Sequence, residues 1–300
     1  MERIAVIGAG NIGEALISGL VASGIDPAAI TATNRSQERS AELAERYGVR
    51  TTADNREAVR DADVALLCVK PGQVLDVIAD VGEELINSGS STVLVSLAAG
   101  ITLAAMDGAV SAAGTPIVRV MPNTPMVVGK GVLAVACGRF VDGNQRSDVV
   151  KLLSAVGQVV EVSESQIDAV TAISGSGPAY FFLVAEALTD AGVSLGLPRD
   201  MAEQLACATA AGAGAMLEGG DNPVQLRANV SSPAGTTVRA IRELEESGLR
   251  GQSCPRATTR SHAVAPDCHR PPASRPLLQR LRTPAARPCR AGDQGTRQRR

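Results

Sequence analysis

The sequence predicts an α/β protein with a doubly wound parallel sheet in its first half and a domain made only of helices in its second half. In the first half, short apolar runs typical of buried parallel strands alternate with amphipathic helical stretches. From about residue 164 the pattern changes to long helical segments. Since 300 residues are enough for two domains, we expect the boundary near residue 162.

A glycine-rich turn joins the first strand to the first helix. The segment "IAVIGAGNIGEALISGL" has an apolar strand, the spacing G-x-G-x-x-G and then a helix. In this motif the first glycine permits a tight turn, the second lets a pyrophosphate approach the backbone, and the third lets the helix lie close to the strand. The order predicts a Rossmann-type dinucleotide site whose loop residues are Gly8, Ala9, Gly10, Asn11, Ile12 and Gly13.

The second strand carries the signal for cofactor choice. NAD enzymes place an acidic residue about 20 residues after the glycines, on the ribose hydroxyls. This chain has Asn34, Arg35 and Ser36 there, and Arg35 can pair with a 2′-phosphate. We therefore expect NADPH to be preferred, with NADH possible. The alternative is that Arg35 only begins the next helix on a solvated face.

Three further apolar runs predict buried parallel strands: "ADVALLCV" (62–69), "STVLVSLAAG" (91–100) and "TPIVRVMP" (115–122). Helical stretches such as "PGQVLDVIADVGEEL" separate them. Ligands of such sheets lie beyond the carboxyl ends of the strands. The residues at those ends, which we expect along one crevice, are Lys70, Pro71, Ala98, Ala99, Gly100, Asn123, Thr124 and Pro125.

The second half reads as five helical segments: "SQIDAVTAIS", "PAYFFLVAEALTDAGVSLG", "PRDMAEQLACATAAGAGAMLEGG", "PVQLRANV" and "GTTVRAIRELEES". Three of them begin near a proline, where a missing amide proton costs little. The third is rich in Ala and Gly and apolar on most sides. That composition fits a subunit interface and a bundle core equally well.

Residues 1–250 contain no histidine, and their lysines are Lys70, Lys130 and Lys151. An alcohol dehydrogenase needs a base for the hydroxyl proton and loses roughly 10²–10⁴-fold without it. Reduction of a carbon–nitrogen double bond is different, because the basic imine nitrogen takes its proton from solvent. The loop "SSPAGTT" (231–237) before a helix could hold a substrate carboxylate on backbone amides, or it could be a plain capped junction.

Six motifs in order carry a resemblance to a known family: "VIGAGNIG", "VKPGQV", "LAAGI", "RVMPNTP", "SGSGPAYFF" and "QLRANVSSPAGTTVRAIRELE". Over residues 1–250 the chain resembles pyrroline-5-carboxylate reductase. The resemblance implies hydride transfer from NADPH to C5 of Δ1-pyrroline-5-carboxylate, giving L-proline. It also implies an intertwined homodimer, often assembled into a decamer, whose sites use both subunits.

The resemblance assigns roles to individual residues. Thr237 matches the catalytic threonine that hydrogen-bonds the ring nitrogen. The other residues that match substrate contacts are Glu164, Asn229, Ser232, Gly235 and Thr236. Beyond the glycine loop, the residues that match cofactor contacts are Asn55, Val69, Lys70 and Pro71.

Two departures from the family pattern stand out. Ala234 replaces a family glycine, which is tolerable only if residue 234 does not need a positive φ. After residue 250 the family continues into another helix, whereas the sequence of this chain from there on resembles the product of translation in a wrong reading frame. The alternatives are therefore a catalytically impaired nucleotide-binding remnant, or a related imine or β-hydroxyacid dehydrogenase. The latter would need a lysine in residues 178–195, which contain none.

Charge also separates the last 50 residues from the rest. Residues 1–250 hold 18 Lys and Arg against 29 Asp and Glu, while residues 251–300 hold 11 Arg against 2 Asp. We expect this Arg/Pro-rich tail to be disordered, with neither aromatics spaced for nucleic acid nor a zinc site among its Cys and His residues. With no signal peptide and no apolar run approaching the roughly 20 residues of a membrane span, we expect a cytoplasmic protein without nucleic-acid, membrane or metal partners.

Overall fold

The computed structural model describes residues 3–88, 91–111 and 113–253. The chain divides into two compact units, Met1–Phe182 and Leu183–Arg300. The predicted limits of the domains, 1–162, 163–250 and 251–300, stay a prediction. Nearly all of the tail expected to be disordered lies outside the described residues.

The first unit is built on one eight-stranded sheet. Its strands are β1 (Ile4–Ile7), β2 (Ile30–Thr33), β3 (Arg50–Thr52), β4 (Val64–Leu67), β5 (Val93–Ser96), β6 (Ile117–Met121), β7 (Gly131–Cys137) and β8 (Gly157–Glu161). Their order is β3-β2-β1-β4-β5-β6-β7-β8, and every neighbouring pair is parallel except β6 with β7. At its centre Ile4 of β1 pairs with Ile30 on one side and with Val64 on the other.

Buried apolar strands and flanking helices form the core. All four residues of β1, β4 and β5 are buried, because helices cover both faces of the sheet. Separate apolar clusters lie on the two faces, one around Leu16 and Leu20 and the other around Ile78 and Met106. The helices are α1 (Asn11–Ala22), α2 (Gln37–Tyr47), α3 (Asn55–Val59), α4 (Val74–Ser88), α5 (Leu103–Ala109), α6 (Gly143–Leu153) and α7 (Ile167–Val170). This is the Rossmann-type arrangement that the sequence predicts.

One carboxylate ties α1 to α2. Glu14 accepts hydrogen bonds from the Arg46 guanidinium and the Tyr47 hydroxyl, both at 2.9 Å, and from Arg39. Burial acts to raise the pKa of Glu14, but hydrogen bonds and the two arginine charges outweigh it and hold that pKa below its usual value. The lowered pKa means that Glu14 stabilises the fold above the pKa it has when unfolded, and loses that contribution as acid protonates it.

Helices make up the rest of the described chain: α8 (Gly177–Ser194), α9 (Arg199–Glu218), α10 (Pro223–Asn229), α11 (Thr236–Glu246) and α12 (Leu249–Ser253). α8 to α11 match segments expected to be helical, whereas α12 was not predicted and its last residues fall in the tail expected to be disordered. The segment "SQIDAVTAIS" forms a 3₁₀ turn, α7 and a π-helical turn, Thr171–Gly175. β3, β7 and β8 were not predicted from the sequence.

The expectation that no apolar segment approaches the length of a membrane span is wrong. A continuous helical stretch, Glu164–Ser194, spans 31 residues, and an 18-residue window within it has a mean hydropathy of 1.3, so among the described residues it is long and apolar enough to cross a membrane. The expectation failed because it sought an unbroken apolar run, whereas this stretch mixes large apolar residues with small ones. Phe181, Phe182 and Leu183 are about two-thirds exposed. An interface helix has the same composition, so length alone does not assign it to a membrane.

Candidate functional site

The glycine loop between β1 and α1 has the geometry that a pyrophosphate requires. Gly8 has a φ of 80°, and a Cβ there would lie 2.5 Å from Val69 Cγ1. A Cβ on Gly13 would lie 3.2 Å from Val6 Cγ1, so this glycine allows close packing of α1 on β1. A Cβ on Gly10 would meet nothing within 4 Å. The space over Gly10 is therefore open to a ligand at the N-terminus of α1.

Hydrogen bonds connect this loop to the end of β2 and to the start of α3. The Gly8 amide donates to Thr33 Oγ1 at 3.0 Å, and that hydroxyl donates to Asn55 Oδ1 at 2.8 Å. The Asn34 amide group donates to the Ala9 carbonyl at 3.1 Å, and its oxygen accepts from the Ser36 amide at 2.9 Å. The predicted cofactor residues of both segments therefore lie together.

A cavity of about 250 Å³ lies beside this loop. Its lining includes six of the predicted cofactor residues and five that the sequence analysis missed. The missed residues are Thr33, Ala53, Cys68, Gln73 and Val77. Burial raises the pKa of the Cys68 thiol to about 12, so the thiol is neutral near pH 7. Among the described residues, nothing pairs with the exposed guanidinium of Arg35 at the edge of this cavity.

The predicted crevice follows from the strand order. β4, β5 and β6 are adjacent and parallel, so the segments that follow them lie at the same edge of the sheet. These segments contain Lys70 and Pro71, Ala98 to Gly100, and Asn123 to Pro125. Asn123 donates to the Ser174 carbonyl at 2.9 Å and accepts from the Val132 amide at 2.8 Å. These bonds connect the crevice to the π-helical turn.

A larger cavity, of about 570 Å³, lies at the opposite edge of the sheet. It is lined by residues at the amino ends of the first strands, including Arg3, Ile4 and Arg50. Ligands of doubly wound sheets bind at the carboxyl ends, where the glycine loop lies. The smaller cavity is therefore the candidate cofactor site.

Glu164, the one predicted substrate residue of the first unit, is held by two donors. Its Oε1 accepts from the backbone amide of Leu103 at 2.6 Å and from Arg119 Nη1 at 2.9 Å. Leu103 begins α5 three residues after Gly100, so the carboxylate lies beside the predicted cofactor crevice. Arg119 was not predicted as a site residue, although an arginine inside the apolar run "TPIVRVMP" is a usable signal.

The other predicted substrate residues lie in the second unit, around the start of α11. Gly235 is the N-cap of this helix, and no side chain caps it. Thr236 and Thr237 are its first residues, and both are exposed. Nearby, Asn229 Oδ1 accepts from Gln225 at 2.7 Å, and the Ser232 carbonyl accepts from the Gly235 amide at 3.0 Å. The uncapped first turn offers backbone donors to an anion, which disfavours the capped-junction alternative.

Ala234 adopts the conformation that the sequence analysis identified as the unfavourable one. Its φ is 58°, in the left-handed region where an alanine costs roughly 1–2 kcal/mol. The loop immediately before α11 is therefore strained by the residue that replaces the family glycine.

We expect Ala234→Gly to stabilise the chain by up to about 1 kcal/mol, since relief of strain outweighs the roughly 0.4–1 kcal/mol that glycine adds to unfolded-chain entropy. Ala234→Val, with a β-branched side chain at positive φ, should destabilise it. Thermal unfolding of the two variants measures both effects. Destabilisation by the glycine variant would mean that the left-handed conformation is not present in the folded chain.

Two family models match this chain, one in each half. Residues 3–100 match the family described as NADP oxidoreductase coenzyme F420-dependent. Residues 164–263 match the family described as pyrroline-5-carboxylate reductase dimerisation. The second match includes both the Glu164 site and the loop before α11.

Relatives extend this match along the chain. A pyrroline-5-carboxylate reductase of Corynebacterium melassecola is 58% identical over 252 residues, which cover 84% of this chain and 93% of the relative. One from Mycobacterium tuberculosis is 46% identical, with 83% and 91% covered.

Solved structures give the same result. The Coxiella burnetii pyrroline-5-carboxylate reductase superimposes with a TM-score of 0.79 at 41% identity, covering 84% of this chain and 93% of its own. A Plasmodium falciparum pyrroline carboxylate reductase with NADP bound has a TM-score of 0.73 at 30% identity, with 84% and 94% covered.

Proposed function

The chain belongs to the pyrroline-5-carboxylate reductase family and reduces the C=N bond of Δ1-pyrroline-5-carboxylate to L-proline with NADPH, and we propose here how its residues do so. The observation that carries the proposal is the presence of both an open glycine loop and an uncapped helix N-terminus in a chain with no histidine before residue 251. Pyrroline-5-carboxylate-dependent oxidation of NADPH tests it.

The first unit holds the cofactor, which supplies the hydride. The loop from Gly8 to Gly13 places α1 amides at the pyrophosphate, and the open space over Gly10 fits its close approach. Asn34, Arg35 and Ser36 bind the 2′-phosphate. Asn55, Val69 to Pro71, and Ala98 to Gly100 line the remainder of the crevice. The side chain of Arg35 is unpaired in the described structure, so it can turn to the phosphate without breaking an ion pair.

Replacing Arg35 by Ser should therefore raise KM for NADPH about tenfold or more and leave KM for NADH nearly unchanged, because only NADPH carries the phosphate that Arg35 pairs with. Steady-state kinetics with each cofactor measures the ratio. Arg50 is an exposed arginine at the opposite edge of the sheet, and Arg50→Ser is the matched control. An equal loss with both cofactors would contradict the assignment.

The second unit binds the substrate. The first-turn amides of α11, at Thr236 and Thr237, donate hydrogen bonds to the substrate carboxylate, and the helix dipole adds to their attraction. The Thr237 hydroxyl hydrogen-bonds the ring nitrogen, while Asn229 and Ser232 complete the pocket of this unit. In the first unit, Glu164 is the proposed substrate contact. The chain needs no acid or base of its own, because the imine nitrogen is protonated from solvent before reduction. Orientation and exclusion of water are its contribution.

The chain carries a dimerisation domain and self-associates. We infer a homodimer in which the exposed apolar residues of α8, including Phe181 and Phe182, pack against the second copy. That occupant accounts for the apolar helix Glu164–Ser194 without a membrane. We further infer a cytoplasmic enzyme with no nucleic-acid partner, and assembly into decamers remains an expectation from the family.

A further inference from the structure

Arg119 is a buried cation at the inner end of the candidate site. It lies on β6 between the buried residues Val118 and Val120, whose side chains point to the opposite face of the sheet, and only 7% of its own surface is exposed. Charged residues are almost never this buried unless they are paired. Its partner is Glu164 Oε1, at 2.9 Å. Replacing a buried ion pair by apolar residues is often neutral or stabilising, so stability alone is a weak reason for an arginine here.

A second hydrogen-bond donor to the same oxygen fixes the orientation of the Glu164 carboxylate. The Leu103 amide, at the N-terminus of α5, donates to the same oxygen at 2.6 Å. Both donors therefore act on Oε1, and Glu164 Oε2 has no hydrogen-bond partner among the described residues. Two donors on one oxygen fix the position of the carboxylate group and leave its other oxygen free to accept a hydrogen bond, in a side chain that is about one-third exposed.

We propose that Arg119 is a positioning residue for the reduction: together with the Leu103 amide it holds Glu164 beside the cofactor crevice, with Oε2 facing the bound substrate. The protonated imine carries positive charge, which a fixed carboxylate attracts. This inference rests on the proposed function, because it requires Glu164 to contact substrate. Arg119 itself touches neither substrate nor cofactor and acts through Glu164.

The test is a double-mutant cycle on kcat/KM with Arg119→Met, Glu164→Gln and the double variant. Each single variant should lower kcat/KM about 10²-fold with little change in NADPH affinity, since a misplaced group in a site costs about this much. The kcat/KM of the double variant should be no lower than that of Glu164→Gln, because the two single substitutions remove the same interaction. Arg119→Lys should recover part of the loss. The matched control is Arg60→Met, which breaks the Arg60–Glu84 pair (2.8 Å) elsewhere in the first unit and should leave kcat/KM unchanged.

A second pair of variants tests the Leu103 amide without disturbing the buried charge of Arg119. Leu103→Pro removes the amide donor, and the first position of a helix tolerates proline. Thr102 before it is already extended, as a residue preceding proline must be. Leu103→Ala loses similar packing but keeps the amide. Leu103→Pro should therefore have a kcat/KM about tenfold below that of Leu103→Ala.

Additive losses in the cycle, or equal kcat/KM in the two Leu103 variants, would overturn the positioning role while leaving the proposed function intact. No loss with Glu164→Gln would overturn the substrate contact and the positioning role together. Failure of the proposed function looks different, because the unsubstituted chain would then not turn over. In that case the Kd for L-proline is measured for the same set of variants. Additive losses of affinity would overturn the positioning role, and non-additive losses would support it.

Discussion

Replacing Thr237 by Ala lowers kcat/KM for pyrroline-5-carboxylate by about 10²–10³-fold, the loss expected when one preorganised hydrogen-bonding group leaves a reaction centre. NADPH affinity stays within about twofold, because the cofactor residues lie in the first unit. The substitution should not damage the fold. Thr237 is exposed in the first turn of α11, no described hydrogen bond uses its side chain, and alanine favours a helix more than threonine does.

Thr236 provides the matched control for this experiment. It is also exposed and lies one position earlier in the same helix, but only its backbone amide is assigned a role. Thr236→Ala should therefore change kcat/KM by less than about threefold, and Thr237→Ser should recover part of the activity by restoring a hydroxyl. Equal losses at the two threonines, or a parallel loss of NADPH affinity, would show that the loop and not the hydroxyl is responsible.

Alanine at Gly10 should abolish tight NADPH binding while leaving the fold intact. A Cβ at this position meets no atom within 4 Å, and the φ of −82° suits any residue, so the apo chain accommodates it. The methyl group then occupies the space that the pyrophosphate needs. Overpacking of this kind costs about 1–3 kcal/mol, which weakens NADPH binding by roughly 10–10²-fold.

Alanine at Gly8 should instead destabilise the fold itself. A φ of 80° and a Cβ 2.5 Å from Val69 Cγ1 combine backbone strain with overpacking, so we expect a loss of about 2–4 kcal/mol of stability. Thermal unfolding of the apo variants and NADPH titration separate the two effects. An unstable Gly10→Ala variant, or a Gly8→Ala variant that unfolds like the parent, would contradict the loop geometry.

Much of the fold could be predicted because its signals are local. The glycine spacing after "IAVI" determines the first turn, and runs such as "ADVALLCV" indicate strands buried on both faces. β3 was missed because it is a short polar edge strand, Arg50–Thr52. The antiparallel pairing of β7 with β6 depends on tertiary packing, although "GVLAVAC" is a visible apolar run.

The candidate site could be predicted where chemistry follows a motif and not where it depends on contacts between distant segments. Thr33 and Gln73 reach the cofactor cavity through the order of the strands, which no spacing in the sequence states. Arg119 meets Glu164 across 45 positions of sequence. Ala234 shows a third kind of limit, since its left-handed φ is set by the loop and opposes its own preference.

The central claim is that this chain reduces an imine without a proton-transferring side chain, by holding a substrate that takes its own proton from solvent. The most direct measurement is NADPH absorbance after addition of pyrroline-5-carboxylate, with L-proline quantified in the same sample. We predict consumption of NADPH with one L-proline formed for each cofactor oxidised. Tight NADPH binding with no pyrroline-5-carboxylate-dependent oxidation would contradict the claim and favour a nucleotide-binding remnant.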